Sequence, residues 1–137
     1  ELRKRDFVVN WQSVARVPLF ARLDANAIAS VAQLLKPRSV SANQVIVRRG
    51  DIADSMYFIM EGEVEVDITP NPVRLKQGDF FGEIALVENV PRTATILSLT
   101  NCRLLVLETV DFERLTTQIP DLKDQIKRIS DKRVSER

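Results

Sequence analysis

Phe81-Gly82-Glu83-Ile84-Ala85-Leu86 opens what reads as a short helical turn, and Arg92 and Thr93 follow the acid nine and ten residues later, at the head of a β-branched run. Gly82 has no Cβ, so its backbone lets an anion come close. The amides of Ile84 and Ala85 would point N–H groups at that anion from the first helical turn. Arg92 can meet two phosphate oxygens with its planar fork. Glu83 is out of place beside a phosphate alone. It needs a hydroxyl from which to accept, and a cation, Arg92, to offset its charge. Thr93 adds a short hydroxyl that reaches either the anion or the edge of a base. The ligand class these residues suit is a small phosphate ester with a sugar hydroxyl beside it. Each residue alone has a plainer explanation: a turn with a dipole-favoured acid, a surface ion-pair partner, a strand threonine. The combination at this spacing carries the reading.

These side chains need a scaffold, and the apolar pattern supplies one. Residues 2–15 carry Leu2, Phe7, Val8, Trp11 and Val14 among charged neighbours, which predicts a helix with one apolar face. Pro18 breaks it. Asp24 is the expected N-cap of a helix from Ala25 to about Leu35 that buries Ile28, Val31, Ala32 and Leu35, with Pro37 closing it.

From Arg38 to Leu107 the period changes to two. Val45–Val47, Tyr57–Ile59, Val64–Ile68, Val73–Leu75, Ala94–Ile96 and Leu104–Leu107 read as strands, with turn residues between them that include Gly50, Gly62 and Gly78. Helical spacing returns over Val110–Ile119, with Phe112 and Leu115. A last segment opened by Pro120 carries Leu122, Gln125, Ile126 and Ile129. The order is two helices, about eight short strands interrupted by one helical turn, then two helices. That predicts an α+β fold: an eight-stranded β-roll of jelly-roll type with flanking N-terminal and C-terminal helices. Asp131–Arg137 reads as too polar to pack without a partner or ligand.

Composition narrows the chemistry. The 137 residues suit one domain, 1–17 being expected as a helical linker and 18–137 as the domain proper. Twenty basic side chains against 19 acidic ones leave a net charge of +1, so no bulk field draws nucleic acid to the chain. There is no histidine and one cysteine, Cys102, which removes most zinc sites, Cys–His nucleophiles and any intrachain disulfide. No apolar run approaches the roughly 20 residues of a membrane span. The chain opens on Glu1 and charged residues, and we expect it to be a domain excised from a longer protein.

Phe80-Phe81-Gly82-Glu83, the apolar pair Ile84-Ala85, Leu86 and then Arg92-Thr93-Ala94-Thr95 resemble, without a gap, the phosphate-binding cassette of cyclic-nucleotide-binding domains. Arg49-Gly50-Asp51 with Asp54-Ser55-Met56-Tyr57-Phe58-Ile59 and Glu61-Gly62 looks like the early β-roll signature of that family. Asp6-Phe7-Val8-Val9-Asn10-Trp11-Gln12, Val17-Pro18-Leu19-Phe20 and Thr69-Pro70-Asn71-Pro72-Val73 resemble more narrowly the ligand-binding domains of bacterial cyclic-nucleotide-gated potassium channels.

The resemblance implies that Gly82, Glu83, Ile84, Ala85, Arg92 and Thr93 meet the phosphate and ribose. It implies that Val73 and Leu75 flank the base, and that Arg133 on the last helix covers it; the plain alternative for Arg133 is a solvated tail charge. It further implies a non-catalytic sensor of cAMP, with cGMP left open by Thr93. No cofactor or metal is implied beyond that ligand. The implied context is cytoplasmic, attached to the pore of an inner-membrane, homotetrameric potassium channel. Turn glycines have a structural role in the family and stay outside the expected site.

Other classes compete. Asp79 and Glu83 could hold Mg²⁺ for phosphodiester hydrolysis. Transcription activators share the β-roll, but need a helix-turn-helix after the long last helix. A kinase regulatory domain is the third.

Overall fold

The computed structural model describes residues 8–135. The first helix, α1 (Trp11–Ala15), is shorter than the spacing predicts. Asn10 has extended backbone and its side chain accepts from the Ser13 amide at 3.0 Å, so an N-cap stands where helix was expected to continue. Leu2 and Phe7 lie outside the described residues. Val8 and Trp11 are exposed, and of the expected apolar face within the described residues only Val14 is buried. Pro18 opens a 3₁₀ turn, Pro18–Phe20, that drives Phe20 into the core.

Asp24 caps α2 (Ala25–Leu34) as expected, accepting from the Ala27 amide at 2.8 Å, and Ile28, Val31 and Leu35 are buried. Pro37 does not close this helix. It sits inside a strand, β1 (Lys36–Val40), which the sequence pattern does not suggest. That strand lies at a sheet edge, where a missing N–H is tolerated.

Seven further strands follow among the described residues: β2 (Val45–Val47), β3 (Ser55–Glu61), β4 (Glu63–Asp67), β5 (Val73–Lys76), β6 (Phe80–Phe81), β7 (Thr95–Ser98) and β8 (Cys102–Glu108). They form two four-stranded antiparallel sheets, β1-β8-β3-β6 and β2-β7-β4-β5. The first sheet is covered on both faces. Met56, Phe58, Phe80, Leu105 and Leu107 pack with Phe20, Val31, Phe112, Leu115, Leu122 and Ile126 of the helical layer. Tyr57, Ile59, Phe81, Cys102 and Leu104 point the other way, into the roll, against Ile46, Val47, Val64, Leu75 and Ile96 of the second sheet. Double coverage explains why β3 and β8 read as continuous apolar runs, whereas β4 and β5, with one face in water, alternate.

Three further helices lie among the described residues: α3 (Glu83–Glu88), α4 (Thr109–Gln118) and α5 (Pro120–Ser135). Leu122 and Ile126 seat α5 in the helical core, and its later turns run past α3.

Candidate functional site

Gly82 links β6 to α3 with φ +84°, a left-handed conformation that disfavours any side chain. A Cβ there would also sit 2.9 Å from Nη1 of Arg92 and 3.4 Å from the Ser55 carbonyl. The glycine therefore first makes room for the arginine, not only for an anion. Nη1 of Arg92 donates to the Gly82 carbonyl at 3.2 Å, and Nη2 donates to Ser55 Oγ at 3.4 Å and lies 3.5 Å from Asp54 Oδ1. The Arg92 amide donates to the Asp51 carbonyl at 2.8 Å, and the Gly50 amide to the Arg92 carbonyl at 2.9 Å. Its side chain is only 4% exposed. Two fixed acceptors and a bracketed backbone leave the rest of its five N–H donors for a ligand.

Glu83 is as deeply buried, its side chain 3% exposed. Its cation differs from the one expected. Arg133 of α5 places Nη1 3.7 Å from Glu83 Oε1 and its guanidinium 4.5 Å from the centre of the Phe80 ring. Arg92 pairs instead with Asp54. Arg133 is thus no solvated tail charge, whereas Asp131 and Lys132 beside it are exposed.

All nine residues singled out in the sequence line one cavity: Gly82, Glu83, Ile84, Ala85, Arg92 and Thr93 at one end, Val73 and Leu75 on β5, and Arg133 from α5. Sequence reasoning missed much of its apolar wall, including Val47, Val66, Ile68 and Ile96, whose alternation signalled only inward-facing core. It also missed Ser130. Ile129, an apolar position read on the same helix, is exposed, and its neighbour Ser130 lines the cavity. Asp79 does not join Glu83. Its carboxylate accepts from the Lys76 amide at 2.9 Å in the turn before β6.

The cavity therefore has a cationic, hydrogen-bonding end, a buried acid beside it, and an apolar wall under a helix that carries a second cation. A β-roll built around such a cavity has the chemistry to hold an anion joined to an apolar group. The chain belongs to the cyclic nucleotide-binding domain family, which it matches over residues 37–118, from β1 to the end of α4. It is 44% identical over 128 residues to a cyclic nucleotide-gated potassium channel of Rhizobium etli, covering 93% of this chain and 36% of that protein. A cyclic nucleotide-gated potassium channel of Mesorhizobium japonicum is 44% identical over 124 residues, 90% of this chain and 35% of that one. The chain spans about a third of the length of these curated relatives. Among solved structures, the regulatory domain of Toxoplasma gondii PKA, co-crystallised with cAMP, superimposes with a TM-score of 0.77 at 25% identity, over 89% of this chain and 48% of that one. No helix among the described residues is long and apolar enough to cross a membrane.

Proposed function

We propose that the cavity binds a purine 3′,5′-cyclic nucleotide, cAMP with cGMP left open by Thr93, without turning it over, and that the binding controls an attached potassium pore. The observation that carries the binding reading is the pinned, buried guanidinium of Arg92 opening onto the same cavity as the buried carboxylate of Glu83. In this reading Arg92 and the Ile84 and Ala85 amides take the phosphate, and Glu83 accepts from the ribose 2′-hydroxyl. Val73 and Leu75 hold the base, Thr93 reaches the phosphate or the base edge, and Arg133 covers the base from α5.

Control of a pore rests on likeness to the channel relatives and on one mechanical feature. Besides standing over the cavity, α5 touches α3 and the Pro18–Phe20 turn, which follows α1 and contacts it. A ligand that touches α5 more favourably in one placement of that helix than in another shifts the balance between them. The shift would pass through the turn to whatever precedes α1. A coupling of about 1–3 kcal/mol is typical of such devices. The expected assembly is a homotetramer with the domain on the cytoplasmic side of an inner membrane.

Titration calorimetry of the chain with cAMP and cGMP, and chromatography of the recovered nucleotide, test the first proposal. Saturable one-site binding with intact ligand is expected; hydrolysis would favour an enzyme. Potassium flux through the parent protein in liposomes, with and without nucleotide, tests the second.

A further inference from the structure

We infer that Ser55 and Tyr57 are positioning residues for Arg92, and that their hydroxyls decide which phosphate oxygen its fork addresses; the inference rests on the cyclic-nucleotide reading of the cavity. The two residues share one face of β3 because side chains two apart on a strand point the same way. Both are buried. Their hydroxyl oxygens lie 3.2 Å apart, Ser55 Oγ lies 3.0 Å from Asp54 Oδ1, and Nη1 of Arg38 donates to the Tyr57 hydroxyl at 3.4 Å. The Tyr57 ring stacks on Phe81, with centroids 4.9 Å apart, and both Arg38 and Arg92 stand 5.9 Å from its centre.

One arrangement of protons serves every contact. Ser55 gives its single proton to the Asp54 carboxylate, and its two lone pairs accept from Tyr57 and from Nη2 of Arg92; Tyr57 in turn accepts from Arg38. The serine is then fully used, and its orientation is fixed by a tyrosine that ring stacking holds in place. Nη1 is held by the Gly82 carbonyl, and Nη2 by Ser55 Oγ with Asp54 Oδ1 3.5 Å away, so both terminal nitrogens of Arg92 have internal partners. A fork held at both tips presents its remaining N–H groups in one direction and loses little freedom on binding. Without Ser55 Oγ, Arg92 would keep the Gly82 hydrogen bond and the contact to Asp54, whose side chain is exposed, and could swivel about them.

Swivelling predicts a loss of stereochemical choice, which a purely structural role for the hydroxyls would not produce. The test is calorimetry of wild type, Ser55→Ala, Tyr57→Phe and the double variant with cAMP and with its two phosphorothioate diastereomers, each carrying sulfur in place of one exocyclic oxygen. Wild type is expected to bind cAMP and to prefer one diastereomer clearly. Ser55→Ala should weaken cAMP binding about three- to tenfold and shrink the preference between diastereomers. Tyr57→Phe, nearly isosteric, should act in the same direction but less, and the double variant should be no worse than Ser55→Ala. A diastereomer preference unchanged in both variants overturns the inference, even if affinity or melting temperature falls. So does a wild type without preference. A wild type that binds no cyclic nucleotide at all sinks the functional reading itself, a separate and recognisable outcome.

Discussion

Arg92 and Arg133 line the same cavity and are held in opposite ways. Arg92 leaves a loop whose backbone is bonded to Gly50 and Asp51, and its guanidinium meets Gly82, Ser55 and Asp54. Arg133 stands near the end of a sixteen-residue helix, tied by one 3.7 Å ion contact to Glu83 and by its placement over Phe80. The first arrangement suits recognition of a charge that must always land in one place. In the proposed switch the second lies in the part that shifts, the end of α5 beyond Leu122 and Ile126, which seat the helix in the core. Anchored and movable halves of one site are what a ligand-driven switch requires.

Removing the anchored cation should have the largest effect. Arg92→Ala should weaken cyclic nucleotide binding at least about tenfold, the loss expected for a charge-assisted contact of about 1.5–3 kcal/mol, while the fold survives. An unchanged dissociation constant by calorimetry would erase the distinction between the two arginines. Gly82→Ala comes next. It forces a side chain into a left-handed backbone at a cost of about 1–2 kcal/mol and pushes its Cβ toward Nη1 of Arg92. Thermal unfolding should shift downward and affinity should fall with it; a variant as stable and as tight as wild type would show that the approach of Arg92 to Gly82 is dispensable.

Arg133→Ala should cost less, about two- to fivefold in affinity, as expected for a partly exposed ion contact. Its sharper signature is in hydrogen exchange: ligand should protect α5 in wild type and much less in the variant. Equal protection of α5 with and without ligand in wild type would remove the movable half of the comparison.

The smallest effect lies away from the site. Burial pushes the Cys102 thiol up, against hydrogen bonds that favour the thiolate. As pH rises past the thiol's ordinary range, the unfolded chain loses that proton before the folded one does, so stability declines. Denaturant titrations across alkaline pH should show a slight decline that Cys102→Ala reduces.

The cassette was legible because its residues are close in sequence and each type has one obvious use. Glu83, Arg92 and Thr93 were singled out from residue type and spacing, Arg133, Val73 and Leu75 from family resemblance, and all six line the cavity. The helices were legible where caps and periodicity agreed, as at Asp24 and α2. Two strands were not. β1 contains Pro37 and only Val40 is buried along it, so it lacks an alternating pattern. β6 is only two residues long. The N-terminal helix was overextended because apolar spacing could not reveal that Asn10 caps its own successor residues. Ser130 was missed for a related reason: helical spacing identifies a face, but which side of α5 meets the cavity depends on how Leu122 and Ile126 seat it.

Local residue order determined the chemistry available to this chain: a glycine–acid turn, a forked cation, an alternation of period two and a polar last helix. Tertiary structure decided which cation serves which anion. Glu83 and Arg92 lie nine residues apart, yet Glu83 meets Arg133 from fifty residues further on, and Arg92 meets Asp54 and Ser55 from almost forty residues earlier. The reason is geometric. Side-chain contacts of a few ångströms are set by how strands register and helices seat, and separation along the chain carries no record of either.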